Sequence, residues 1–430
     1  MNYREAVTYL EQLQFFKIKL GLATTENLLA ELGRPHDQLQ IIHIAGTNGK
    51  GSVGANLRAI LSAAGYRTGF YSSPHLSSVR ERFQIGADYI TESCFARLVT
   101  MLQTFFAGRP LPTYFEFTTI LALLWFQEEG VEVVILETGM GGRLDATNVV
   151  TPLVSIITDI SSDHEQYLGT TLTEIAAEKA GIIKYKVPVV FSGRAPETVP
   201  VIEQRCREKN SPLYLHGLHF LGHRNSNGTL DYRPINGPPR TELPLVLAGA
   251  HQAINTSLAL AALELLESQF PISQQALIDG LQQVRWPGRM ELLTLEAQGG
   301  GFRFLLDGAH NQAGVAALHH SLTLGYPRRR LLLVWGNMRD KQLQPALQEL
   351  MPLAAEIIFT QAESLRSAPP AALQDQVPAP DRAKTRCADT VEQALKMALA
   401  SATPDDLICV AGSLYLVGRM RQLLRGELFS

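Results

Sequence analysis

Several features are scarce in this chain of 430 residues. Only four cysteines occur, Cys94, Cys206, Cys387 and Cys409, scattered without paired spacing. That pattern excludes a thiolate metal site and a disulfide framework, and it suits a reducing cytoplasm. No apolar run approaches the length that spans a bilayer; ILALLWF, residues 120–126, is core-sized. A surplus of one charge is missing too: 38 Lys and Arg face 41 Asp and Glu, a formal net charge of -3. With no long basic block, a dedicated nucleic-acid binder is disfavoured, although a local pocket for an anion is not. The opening MNYREAVTYLEQLQFF carries charges throughout and does not read as a signal peptide. A cytoplasmic protein without membrane or nucleic-acid partners is therefore expected. There is no short internal repeat and no low-complexity segment.

What is present suits a large folded core. The chain is 46% hydrophobic and 18% charged, and its length fits two domains. Apolar runs of strand length alternate with helical patterns, which predicts an α/β fold built from parallel βαβ units. The runs are IIHIA, VEVVIL, LVSIIT and VPVVF in the first part, then FRFLLD, LLLVWG, EIIFT and LICVAG. The turn-rich HRNSNGTLDYRPINGPPR, residues 223–240, predicts an excursion or hairpin in the first domain. Pro and Gly in VRWPGRME, residues 284–291, mark the domain boundary, giving domains 1–284 and 285–430. SAPPAALQDQVPAPDR, residues 367–382, reads as a surface loop.

The sharpest local signal is HIAGTNGKGSV, residues 43–53. A strand runs into Gly46-Thr47-Asn48-Gly49-Lys50-Gly51-Ser52, and a helix follows with Val53, Leu57, Ile60, Leu61 and Ala64 on one face. Such a turn offers backbone N–H groups and a positive helix end to a phosphate. Lys50 would neutralise outer phosphates and Ser52 would orient magnesium or its waters. The spacing departs from G-x-x-x-x-G-K-[ST], and an ordinary glycine turn is the plain alternative.

Other positions carry chemistry by context. Glu137 and Asp307 each end an apolar run, where open α/β sheets place ligands, although either could cap a helix. His164 also follows a strand run; a lone histidine there is more often a hydrogen-bonded loop residue. TLTEIAAEKAGII opens with a capping-box pattern, Thr171 with Glu174, and sets Lys179 on a face with Ile175, Ala176 and Ile183. A lysine so placed either snorkels or, held inside, loses its proton and becomes a nucleophilic amine. His216, His219 and His223 stand at helical metal-ligand spacing, but Gly217 and Gly222 oppose a helix and no carboxylate accompanies them.

The order of AGTNGKGS, SSPHL, YFEFTT, ETGMGGRLDATN, DHEQYLG, EIAAEKAGI, HQAIN, WPGRME, LDGAHN and AGSLYLVG along nearly the whole chain resembles the Mur ligase superfamily. Within it, the folylpolyglutamate synthase and dihydrofolate synthase branch is the most similar. The resemblance implies a P-loop-type Mur ligase central domain with a parallel-rich sheet, plus a smaller Rossmann-like α/β domain. It implies an ATP-dependent ligase that joins L-glutamate to folate, or to dihydropteroate, through an acyl phosphate. Thr47, Asn48, Gly49, Lys50, Gly51, Ser52, Asn255, Arg289 and Asp307 become nucleotide contacts. Ser73 and Glu137 would hold one magnesium ion, and His164 with a carbamylated Lys179 a second; a monovalent cation is a further candidate cofactor. Thr113, Tyr114, Phe115, Glu116, Leu144, Asp145 and Ala146 would line the pterin site, with Leu20, Gly21 and Leu22 contributing. His310 is implied in activity and Ser413 near the incoming amino acid, so Lys50, Lys179, Asp307 and His310 form the catalytic set. Domain closure over the nucleotide and a monomeric state are further expectations. GNMRDKQ, residues 336–342, departs from the more usual run ending D-K-D. A cell-wall precursor ligase and an ATP-hydrolysing switch remain the rival readings.

Overall fold

The structure is a computed structural model that describes residues 1–13, 21–297, 300–338, 344–362 and 367–426. It divides into two compact units, residues 1–246 with 252–285, and residues 247–251 with 286–430. The short segment 247–251 thus groups with the second unit, although the sequence reading counts it in the first.

The first unit is built on an eight-stranded sheet. Its strands are β1 (Ile41–Ala45), β2 (Thr68–Tyr71), β3 (Phe83–Ile85), β4 (Asp88–Tyr89), β5 (Val133–Glu137), β6 (Val154–Ile157), β7 (Val189–Phe191) and β8 (Leu213–Leu215). They lie in the order 4-3-2-5-1-6-7-8. Strands 2-5-1-6-7-8 are parallel, while β3 and β4 extend one edge antiparallel. The central strands are buried throughout because both faces are covered, and they read as apolar runs interrupted by His43 in β1 and Ser155 in β6. One covering element, the helix Tyr114–Glu128, is buried from Glu116 to Phe126 without a polar stripe. It packs in one cluster with the helices Tyr3–Leu13, Ala23–Glu31 and Glu92–Phe105 through Leu10, Leu29, Phe95 and Phe117. The turn-rich excursion folds into an antiparallel sheet of β9 (Leu221–Arg224), β10 (Leu230–Arg233) and β11 (Arg240–Leu243), in the order 11-10-9.

The second unit carries β12 (Glu291–Ala297), β13 (Gly300–Leu306), β14 (Leu331–Trp335), β15 (Glu356–Thr360), β16 (Thr385–Ala388) and β17 (Leu407–Ala411). Their order is 12-13-17-14-15-16, parallel except for the edge strand β12. One expectation needs correction here. Residues 367–382 are not a plain loop: Pro370–Asp375 is helical and Ala379–Lys384 forms a 3-10 helix. Proline at the first helical position, followed by Ala-Ala-Leu, starts a helix rather than preventing one.

Candidate active site

Four neighbouring strands of the first unit, in the order 2-5-1-6, end on one edge and are followed there by the glycine loop, Ser73, Glu137, residues 144–146 and His164. Chain connections diverge at this edge, since β1 leads across β5 to β2 while β6 leads outward to β7. Open α/β sheets bind ligands at such a crevice.

After β1 comes the glycine loop. A Cβ on Gly46 would overlap the Thr158 hydroxyl, and one on Gly49 would stand 2.5 Å from Asn255 Oδ1, so both positions exclude side chains. Gly49 also adopts φ 91 as N-cap of the helix Lys50–Ala63. The loop is latched to the end of β6. Thr158 Oγ1 donates to the Asn48 carbonyl (2.7 Å), Thr47 Oγ1 to Ser161 O (2.9 Å) and Asn48 Nδ2 to Ser161 Oγ (3.0 Å). Lys50 Nζ folds back to donate to the carbonyls of Gly46 (2.9 Å) and Thr47 (3.3 Å). Behind it, Gln252 Nε2 donates to Ser52 Oγ (3.3 Å) and Asn255 Nδ2 to Gln252 Oε1 (3.0 Å), which puts Asn255 beside the loop.

Beyond β5, Glu137 is buried as the strand's last residue and Asp145 closes the loop that follows. Asp145 Oδ2 accepts from the amides of Gly139 and Met140 (both 2.9 Å). Its Oδ1 accepts from the Thr147 amide (3.0 Å) and hydroxyl (2.6 Å). With four donors on two oxygens, Asp145 is first a brace of the 139–147 loop, a fuller role than the pterin contact expected of it. Thr113 and Glu116 likewise engage each other: they form the capping box of the helix Tyr114–Glu128. Phe115 packs on the same loop, because a Cβ on Gly139 would lie 2.6 Å from its ring. Tyr114 stacks under Arg82, whose Cζ is 5.2 Å from the ring centroid. Leu144 is half-buried and Ala146 buried in the loop. Ser73 lies two residues past β2, before a cis peptide to Pro74. Gly21 and Leu22 precede the helix Ala23–Glu31, whereas Leu20 lies outside the described residues.

Lys179 ends the helix Leu172–Lys179, which opens with the expected capping box of Thr171 and Glu174. Only 2% of it is exposed, and Ile175, Ala176 and Ile183 are buried with it. Burial, and secondarily the charge of Lys50, brings its amine down to about 7 against the pull of Asp163, Asp145 and Asp159. The helix end is clamped onto the 139–148 loop: the Arg143 amide donates to Glu178 O (2.7 Å), and Asn148 Nδ2 to the carbonyls of Arg143 (3.0 Å) and Gly181 (3.1 Å). His164 differs from its expected partners. Its side chain is 45% exposed, in a left-handed backbone (φ 53), with Nε2 3.9 Å from Asp163 Oδ1. Ser73 and Glu137 carry oxygen atoms, the donor type that magnesium prefers. Among the described residues, no three His, Cys, Asp or Glu side chains group as a metal site. His216, His219 and His223 sit on strand and turn, not on a helix; His219 Nδ1 accepts from the Leu215 amide (2.9 Å).

In the second unit, Asp307 follows β13 and is buried. It accepts from the Met290 amide (2.8 Å) and the Ala309 amide (2.9 Å). Burial pushes its carboxyl up, opposed by Arg289 and those two amides. His310 Nδ1 donates to Gly308 O (2.7 Å), which assigns a proton to Nδ1. Ser413 follows the adjacent β17, buried, with Oγ 4.0 Å from Met338 Sδ. Residues 339–342 of GNMRDKQ lie outside the described residues.

Residues 44–263 match the Mur ligase middle domain and residues 288–414 the Mur ligase glutamate ligase domain. The dihydrofolate synthase/folylpolyglutamate synthase of Bacillus subtilis is 32% identical across 98% of this chain and 99% of its own. The chain belongs to the folylpolyglutamate synthase and dihydrofolate synthase family of Mur ligases. Among solved structures, Escherichia coli FolC in complex with DHPP and ADP superposes with a TM-score of 0.89 at 31% identity, covering 99% of this chain and 98% of that one. The bifunctional synthase of Yersinia pestis complexed with AMPPNP and Mn ion gives 0.86 at 31%, again over 99% and 98%.

Several residues of this family member escaped the sequence reading. Asp159, Ser161 and Asp163 stand beside the glycine loop or Lys179, and the acids in TDISSDH, just past a strand, were the available signal. His43 is another: a histidine inside IIHIA, fully buried, with Nε2 2.8 Å from Thr147 Oγ1. Burial, with a smaller push from Lys184, drives its ring from 6.5 down to about 3. Unfolding therefore takes up a proton between those values. The stabilising share is complete above pH 6.5 and is lost on acidification towards 3, with a slope of about 1.4 kcal/mol per pH unit. Urea titrations at pH 6.5 and pH 5 should show H43Q losing about 2 kcal/mol less than the unsubstituted protein over that step. Parallel losses would contradict the assignment.

Proposed function

We propose that this enzyme uses ATP to activate the carboxyl of a folate, and of dihydropteroate, and joins it to the amine of L-glutamate. The observation that carries the reading is the strand edge shared by the glycine loop, Ser73 and Glu137, with the loop after Glu137 packed on Phe115 and clamped to the helix end that holds the buried Lys179. The chain's membership of the family and the ligand sets named for its solved relatives support it.

In this reading the 46–52 loop holds the triphosphate, with Lys50 moving from its loop carbonyls to the phosphate oxygens. Phe115, Leu144 and Ala146 wall the acceptor, and Asp145 orders that wall. Ser73 and Glu137 would hold one magnesium ion and His164 with Lys179 a second. Bound there, magnesium screens the phosphates and stabilises charge developing in transfer. Lys179 serves as an oxygen donor once its neutral amine has added carbon dioxide, releasing a proton and leaving a carbamate. Its burial favours the neutral form, and the clamp at Glu178 and Arg143 keeps it aimed.

The acceptor carboxylate attacks the terminal phosphorus and ADP leaves. Glutamate's amine then attacks the acyl carbon, and the tetrahedral adduct expels inorganic phosphate containing an acceptor oxygen. Arg289 and Asp307 are assigned to the nucleotide, Ser413 to the amino acid. His310 Nε2 is the candidate to take the amine's proton, because Nδ1 is committed to Gly308 O.

With glutamate present, ADP release should require a pterin acceptor, and oxygen-18 placed in its carboxyl should appear in the phosphate. Release without any acceptor would favour the hydrolytic switch. Comparing dihydropteroate with tetrahydrofolate decides whether both activities reside here.

A further inference from the structure

The centre of the first sheet holds a buried imidazole, with Leu136 as its register partner on β5 and Ser155 on β6. His43 lies mid-strand in β1 between Ile42 and Ile44, all three without exposed surface, flanked by β5 and β6. Its Nε2 lies 2.8 Å from Thr147 Oγ1, and Thr147 Oγ1 donates to Asp145 Oδ1 at 2.6 Å. The directions follow from the acceptor at the end. Gly139 N and Met140 N occupy one Asp145 oxygen, Thr147 N and Oγ1 the other, so the carboxylate receives four donors and gives none. The Thr147 hydroxyl proton points to Asp145, and its oxygen accepts from His43 Nε2–H. The ring is then neutral with a bare Nδ1, which is buried and makes no hydrogen bond among the described residues. A leucine would avoid that desolvated nitrogen, so packing alone does not account for the histidine.

We propose that His43 is a positioning residue for the acceptor site, holding the Thr147 hydroxyl on Asp145 and thereby setting the Gly139–Met140 turn against Phe115. The relay is N–H to O–H to carboxylate, an arrangement whose members polarise one another. It also ties the wall of the acceptor pocket to β1, three residues before Gly46 of the phosphate loop. No proton needs to move; the effect is orientation. The assignment of the pocket to a pterin rests on the function proposed above, whereas the relay itself does not.

The test compares H43L, H43Q and T147V with the unsubstituted protein, titrating the pterin acceptor and ATP separately. H43L should raise the acceptor KM by about tenfold, the worth of one hydrogen bond, with the KM for ATP within about twofold. H43Q should restore most of it, since its amide N–H reaches the place of the imidazole Nε2–H. T147V should match H43L, and the double variant H43L/T147V should be no worse than either, as expected for one chain of contacts. Equal rises in both KM values, no rescue by glutamine, or additive effects would overturn the relay. Amide exchange at Gly139 and Met140 gives a readout free of turnover: faster exchange in both H43L and T147V supports the relay, and unchanged exchange refutes it. An unsubstituted protein inactive with every pterin would defeat the functional reading while leaving this second readout decisive.

Discussion

Replacing Lys179 with alanine is expected to lower the rate of amide formation by about a thousandfold, on the scale of losing a charge stabiliser in phosphoryl transfer. The side chain is 2% exposed at the end of a helix pinned to the 139–148 loop, so its truncation removes a donor without freeing a surface residue. If the working group is a carbamate, acetate or propionate in millimolar amounts should restore part of the K179A activity by occupying the same space with carboxylate oxygens. Activity of the unsubstituted enzyme should also fall in carbon-dioxide-free buffer and return with bicarbonate. A K179A enzyme with near-normal turnover, or one deaf to added carboxylates while K179R works, would remove the carbamate from the mechanism.

The second large effect belongs to Lys50. K50A should cost about a thousandfold in kcat for acceptor-dependent ADP formation, because Lys50 Nζ stands on the carbonyls of Gly46 and Thr47, at the loop where charge would develop on the transferred phosphate. The fold should survive, since the amine is half-buried and, among the described residues, bonded only to its own turn. Single-turnover measurement of ADP with saturating acceptor separates this from weaker nucleotide binding. K50R should not rescue, as a planar guanidinium needs room that a turn latched by Thr158 and Ser161 does not offer. A kcat within tenfold of normal would show that the anion is held elsewhere.

Much of this edge was legible in the residues because local rules agreed with the fold. IIHIA followed by a glycine turn is a strand feeding a helix, and the structure has β1 and the helix Lys50–Ala63 there. Strand-end acids were readable at Glu137 and Asp307 for the same reason. What local pattern could not carry was pairing in space. TGFY is four residues with an internal glycine, too short to stand out, yet as β2 it brings Ser73 to the edge. The mutual capping of Thr113 and Glu116 is a sequence signature, T-x-x-E, that the family resemblance overshadowed. Asp145 as a four-donor brace depends on a loop closing over six residues, and His43 to Thr147 spans 104 positions. His164 shows the opposite limit: its motif is in place while its side chain stands exposed.

The strand order of the second unit has a consequence for biosynthesis. β17, the last of the described strands in chain order, fills the middle of its sheet between β13 and β14. Until a ribosome has released residues 407–411, those two earlier strands have nothing to pair with across the gap, and their open edges invite wrong partners. A message broken shortly before that codon stretch should leave the first unit with all its strands and a remainder that chaperones must hold or proteases clear.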